Sequence, residues 1–247
     1  MTRTYRDIDY TAPLTMPLET QAMIAPDPGE WRLIIFHGTP GNRYIYGRFM
    51  RTAPRGIEVV LPARPGFGRN HLDAVTCFSE QVAAIRPFLP GGDFGDKKVV
   101  TLGVSYGGEL ALKAALDFPD AVAGVVTVSA LIDEPHDYAL TLEKIGCDPR
   151  VDEYLPNRWK KTREEVAGRR DQIGPLLDAV RDINKPVEVV HGDFDGIVPK
   201  SNSEKLMEHL GENGRLEIIP GGTHYLEGQY PRRLHRAVQR VIDRSGA

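Results

Sequence analysis

Cysteine is nearly absent from this chain: of 247 residues only Cys77 and Cys147 are cysteines. That is too few, and they lie too far apart, for a disulfide scaffold or a thiolate metal site. Two free thiols in a reducing compartment are expected. No apolar run is long enough to span a bilayer, and the N-terminal MTRTYRDIDYTAPL lacks the apolar core of a signal peptide. A cytoplasmic protein with no membrane partner is therefore expected. Nor does one sign of charge dominate. Lys and Arg number 31 against 34 Asp and Glu, for a formal net charge of -3, which removes the basic footprint of a nucleic-acid binder. Internal repeats, low-complexity tracts, a dinucleotide fingerprint and metal-ligand spacings are all missing, so no cofactor and no metal is implied.

What remains is the composition of an ordinary folded domain, 41% hydrophobic and 26% charged, at a length that one large α/β core accommodates. Apolar runs rich in β-branched residues recur at 31–37, 57–61, 99–104, 122–128, 187–191 and 216–219, each closed by Gly or Pro. Continuous apolar runs of this length read as strands buried on both faces, the habit of parallel sheets. Helical spacing lies between them. Leu110, Ala111, Ala114, Ala115 and Phe118 form a stripe closed by Pro119, and this alternation argues a doubly wound sheet.

Two stretches break the rhythm. At the start, residues 4–10 and 18–24 flank proline-containing turns and read as an antiparallel hairpin extending one sheet edge. Between 131 and 185 the chain is too long for a loop and carries helical patterns at 138–145, 161–170 and 173–183. This reads as a helical cap inserted into a core made of 1–130 and 186–247. The run KKTREEVAGRRD within it alternates in sign at helical spacing, which marks a solvated helix face.

The chemistry centres on Gly103-Val104-Ser105-Tyr106-Gly107, placed directly after one apolar run and directly before a helical stripe. A serine on so sharp a turn needs small residues two before and two after it, and it stands clear of the sheet at a helix N-terminus. The same pentapeptide also occurs as a plain strand-to-helix turn. Serine is a weak nucleophile, so a catalytic reading requires a base and an acid to orient it. His224, in Pro220-Gly221-Gly222-Thr223-His224-Tyr225, is the candidate base. Asp195, in HGDFDGIVP (191–199), is the candidate acid, with Asp193 as the fallback and turn capping as the alternative for both. The glycine-rich HGTPG (37–41) supplies the remaining element. The backbone N–H of Thr39 and that of Tyr106 are the candidate oxyanion donors, since Pro40 has none. Tyr44, Tyr46 and Phe49 read as packing residues, and His71 and His136 as loop histidines without a catalytic role.

HGTPG, GVSYGG, HGDFDGIVP and GGTHY, in this order, resemble the motifs of the α/β-hydrolase superfamily, and RPGFG (64–68) resembles a loop these proteins carry after their fourth strand. That loop's role reads as mainly structural. The resemblance spans nearly the whole chain from Trp31 onward. It implies an eight-stranded, mostly parallel sheet with helices on both faces, a cap after the sixth strand, and a Ser105–His224–Asp195 triad. Serine at the turn, rather than aspartate, points to an acyl-enzyme intermediate and, first, to carboxylic ester hydrolysis. Amide hydrolysis, C–C bond hydrolysis and a ligand-binding role with little turnover are the alternatives. The cap sequence mixes Tyr138, Tyr154, Leu155 and Trp159 with many charges, so the expected partner is a small or medium, water-soluble ester.

Overall fold

The computed structural model describes residues 2–67, 73–132, 151 and 153–246. Strands β1 (Arg6–Ala12) and β2 (Leu18–Ala25) form the antiparallel hairpin, with Tyr10 opposite Thr20. β2 then pairs antiparallel with β4 (Ile57–Pro62). The remaining strands, β3 (Trp31–Phe36), β5 (Lys98–Val104), β6 (Val122–Val128), β7 (Val187–Gly192) and β8 (Gly214–Ile219), run parallel with β4. The eight strands lie in the order β1-β2-β4-β3-β5-β6-β7-β8, the mostly parallel sheet expected.

Each central strand is buried on both faces because its side chains alternate between two apolar layers. In β3, Ile34 and Phe36 enter one core cluster while Leu33 and Ile35 enter the other. The first layer is closed by α2 (Phe78–Ala83), through Phe78 and Val82, and by α3 (Tyr106–Asp117), through Leu110, Ala111 and Ala114. The second is closed by α1 (Gly47–Thr52), through Phe49 and Met50. The C-terminal helix, Pro231–Ser245, joins it through Leu234, Val238 and Val241. That helix is further tied down by Arg240, which reaches Glu188 of β7 at 2.7 Å and Glu217 of β8 at 2.6 Å.

Within 131–185 the described helices are α4 (Asn157–Gly168) and α5 (Arg170–Val180). α4 begins four residues before its periodic pattern does, directly after Pro156, which holds the N-cap position in an extended conformation. α5 buries Ile173, Leu176, Leu177 and Val180 in the same layer as α3, whereas α4 faces the ends of the strands. The helical pattern at 138–145 lies outside the described residues. Among those described, no helix is long and apolar enough to cross a membrane. Cys77 carries a free, exposed thiol, and Cys147 lies outside them.

This order positions the site. β3 is flanked by β4 on one side and β5 on the other, so the chain winds in opposite directions from the centre, and a crevice opens at the carboxyl ends of the strands. The loops after β3, β5, β7 and β8 carry Thr39, Ser105, Asp195 and His224.

Candidate active site

Ser105 follows β5 with φ 54° and ψ -125°, a left-handed conformation that an L-residue adopts only under constraint. Three backbone bonds supply the constraint: Ser105 N–H donates to Val128 O at 2.9 Å, and Ser105 O accepts from Gly108 N–H at 2.8 Å and from Leu131 N–H at 3.3 Å. The flanking glycines are required by close approach. A Cβ on Gly103 would lie 2.0 Å from Gly107 O, and one on Gly107 would lie 2.1 Å from Phe36 O. Ser105 therefore stands at the N-terminus of α3, whose first N–H, that of Tyr106, belongs to the positive end of the helix.

His224 reaches the site from the loop after β8. Its Nδ1 lies 2.8 Å from Asp195 Oδ2; an ionised carboxylate only accepts, so Nδ1 carries a proton, and in the neutral ring Nε2 has the lone pair. Asp195 Oδ1 accepts from the backbone N–H groups of Ile197 and Val198, both at 2.9 Å. On its other side His191 Nε2 is 3.5 Å from Oδ2, and that ring is held by Val198 O at 2.9 Å and Ser203 Oγ at 2.7 Å. Burial opposes the carboxylate's charge, but the hydrogen bonds from His191, His224 and the Val198 backbone outweigh it and hold the carboxyl well below the usual range. Asp193 is engaged elsewhere: its Oδ1 accepts from Gly221 N–H at 2.6 Å in an exposed turn. Of the two aspartates, Asp195 is the one on the histidine.

Ser105, His224 and Thr39 line one cavity of about 350 Å3, together with Tyr46, Trp159 and Glu227. Tyr46 is both a packing residue, 1% exposed, and part of this wall. Tyr44 is exposed and Phe49 is wholly in the core. His71 and His136 lie outside the described residues. A second histidine on the cavity, His37, is no base. Its Nε2 accepts from Arg64 N–H at 3.2 Å and its Nδ1 faces Gly38 O at 2.9 Å. Burial, with the charge of Arg64 beside it, pushes its pKa down to about 3.

A family model described as the alpha/beta hydrolase fold matches residues 32–171, more than half of the chain. The chain belongs to the α/β-hydrolase family. Relatives of this α/β-hydrolase include the lipase LipV of Mycobacterium tuberculosis, 27% identical over 62% of this chain and 57% of the lipase. Another is a pimeloyl-[acyl-carrier protein] methyl ester esterase of Photorhabdus laumondii, 26% identical over 84% of this chain and 78% of the esterase. Among solved structures, a thermophilic esterase from Thermogutta terrifontis superposes with a TM-score of 0.76 at 17% identity, covering 97% of this chain and 100% of the esterase. At that identity the likeness concerns the fold.

Three features of this α/β-hydrolase site escape the sequence reading. The run KKTREEVAGRRD is not solvated throughout: Thr162, Glu165 and Arg169 within it are buried. The reason is pairing across elements. Glu165 of α4 forms an ion pair with Arg64, and Arg169 at the end of α4 meets Glu109 of α3 at 2.7 Å, so charges of the run find opposite charges on a loop and on α3. Arg64 is the first residue of the RPGFG loop. It also donates to Gln81 Oε1 at 2.6 Å and Gly38 O at 3.0 Å, and Glu165 Oε2 in turn accepts from Thr39 Oγ1 at 2.7 Å. That loop thus reaches the backbone beside Thr39. The third feature is Glu227, a buried carboxyl in the cavity wall three residues after His224. Its pattern in the sequence, an isolated Glu in a loop, carries no signal.

Proposed function

We propose that this α/β-hydrolase is a serine carboxylic ester hydrolase. The observation that carries the reading is the 2.8 Å hydrogen bond from His224 to Asp195, on a cavity that also holds a serine in a constrained left-handed turn. In this reading Ser105 Oγ attacks the acyl carbon as His224 Nε2 takes its proton. The carbonyl oxygen becomes an oxyanion held by the N–H groups of Thr39 and Tyr106, and Asp195 stabilises the imidazolium. Collapse of this intermediate breaks the ester C–O bond, and His224 returns the proton to the departing alcohol. Water, deprotonated by His224, then attacks the acyl-enzyme, releasing the carboxylic acid and restoring Ser105.

The names of the lipase and methyl ester esterase relatives support ester substrates, and a cavity of about 350 Å3 suits acyl groups of small or medium size. We assign the stretch 131–185 the role of a cap, with Trp159 and Thr162 of α4 on the cavity wall. The machinery calls for no cofactor, and the setting we propose for it is the cytoplasm. The test is steady-state hydrolysis of p-nitrophenyl acetate, butyrate and octanoate by the wild type beside Ser105→Ala. Sustained turnover that falls by about 10^4-fold or more in the variant is expected. Equal turnover in both proteins would end the reading, and turnover of amides or β-diketones alone would replace the substrate class.

A further inference from the structure

Glu227 takes no part in the chemistry proposed for Ser105 and His224, yet it belongs to the wall of the same cavity. The residue is 2% exposed, and its Oε2 has no hydrogen-bond partner among the described residues. The rest of the described cavity wall is mainly apolar or neutral. Val104, Leu131, Trp159 and Val198 supply apolar surface, and His37 is held uncharged. Among the described residues of the wall Glu227 is the one carboxylate besides which only an exposed arginine, Arg158, carries a fixed charge. Arg64, just behind the wall, has its charge matched by Glu165.

A carboxyl group buried without a donor is unfavourable, and a leucine would fill a similar volume without that penalty. Burial pushes the Glu227 carboxyl up to about 7, with only its own backbone N–H and His224 favouring the charged form. The missing donor is supplied most effectively by a ligand that brings both hydrogen bonds and positive charge into this low-dielectric space. A hydroxyl would satisfy the oxygen and leave the charge unmatched.

We propose that Glu227 forms a cation subsite in the cavity, receiving a primary or secondary ammonium group carried by the substrate. The inference rests on the ester hydrolase reading of this cavity and narrows it to amine-bearing acyl or alcohol groups. Hydrolysis itself is unchanged: the ammonium is held and takes no part in bond making.

Two measurements separate the subsite from the reaction. In the first, p-nitrophenyl esters are compared in pairs that exchange a terminal methyl for an ammonium, butanoate with 3-aminopropanoate and heptanoate with 6-aminohexanoate. Each kcat/KM is divided by the uncatalysed rate to remove intrinsic reactivity. At one chain length at least, the wild type favours the ammonium ester by about tenfold or more, and in Glu227→Gln that ratio collapses towards one. The proposal is overturned if neither pair shows a preference in the wild type. It is equally overturned if Glu227→Gln lowers both members of a pair in the same proportion, which would make Glu227 a support for the charge on His224. In the second, calorimetric titration compares n-hexylammonium with 1-hexanol at mildly alkaline pH. Tighter binding of the ammonium by about tenfold, lost in Glu227→Gln, supports the subsite even where no ester is turned over. Equal binding of the two ligands overturns it, whatever the enzyme hydrolyses.

Discussion

Thr39 and Glu165, 126 residues apart in sequence, are joined by a 2.7 Å hydrogen bond that ties the loop after β3 to α4. The same carboxylate pairs with Arg64, which itself holds Gly38 O. One buried acid therefore fixes the peptide that presents the Thr39 N–H, and α4 is coupled to the loop it overlies.

Replacing Thr39 by Val removes this bond and leaves the Arg64–Glu165 pair in place. Ester kcat is expected to fall about tenfold with a smaller change in KM, and stability to fall by about 1 kcal/mol. Glu165→Ala is the harsher change: it strands Arg64 as an unpaired buried charge, for a loss of about 3–5 kcal/mol. Urea denaturation and steady-state kinetics on the two variants measure both effects. Wild-type values throughout would show that α4 does not hold the loop.

Strain at Ser105 has a direct reading in stability. Glycine adopts φ 54° freely, alanine does not. Ser105→Gly is therefore expected to be more stable than Ser105→Ala by about 1 kcal/mol, with both variants inactive on esters. Thermal melts of the pair suffice, and equal melting temperatures would remove the strain from the account.

Most of this architecture is legible in the sequence because its signals are local. Apolar runs closed by Gly or Pro mark β3 through β8 to within about two residues, and close approach of backbones requires the glycines around Ser105. Asp195 and His224 are legible through their place after strands, though only geometry separates Asp195 from Asp193. What stays hidden is pairing between distant elements. Glu165 and Arg169 look like any solvated charges until α4 is laid against Arg64 and α3, and nothing local distinguishes Glu227 from a surface glutamate. α5 likewise matches its helical pattern within three residues at either end, but that it buries Ile173 and Leu176 with α3 follows from packing alone.

Asp195→Asn is expected to lower ester kcat by about 10^3–10^4-fold, because an amide can present N–H to Nδ1 and favour the wrong tautomer. Asp193→Asn, which touches only a turn, is expected to leave kcat within about threefold. The two aspartates also differ in acid. The Asp195 carboxyl is held below its unfolded value, so its contribution is complete above an unfolded pKa of about 3.9 and fades as pH falls towards the folded value. The stability gap between wild type and Asp195→Asn should accordingly narrow below about pH 4, as read from urea midpoints across pH. A gap that stays constant would show that the carboxylate is not held in its charged form.

For Glu227 the sign is reversed. Its folded carboxyl is raised to about 7, so the folded state holds its proton where the unfolded state has lost it. The favourable contribution is complete below the unfolded value and is lost as pH rises through the folded one. Glu227→Gln should gain stability relative to wild type between about pH 4 and pH 7, by up to about 3 kcal/mol, and level off above. Added n-hexylammonium should restore part of the wild type's loss. A pH-independent difference would place that carboxyl in water.

Asp195 is gripped through Oδ1 by main-chain N–H groups, and those groups belong to Ile197 and Val198, two residues that line the cavity. A main-chain N–H is common to every amino acid except proline. The aim of the acid is thereby insulated from the identity of these two positions, so exchanging their side chains can resculpt the pocket while the alignment of His224 is inherited intact. Positions 197 and 198 are accordingly where a library seeking new substrates can be diversified without first rebuilding the catalyst.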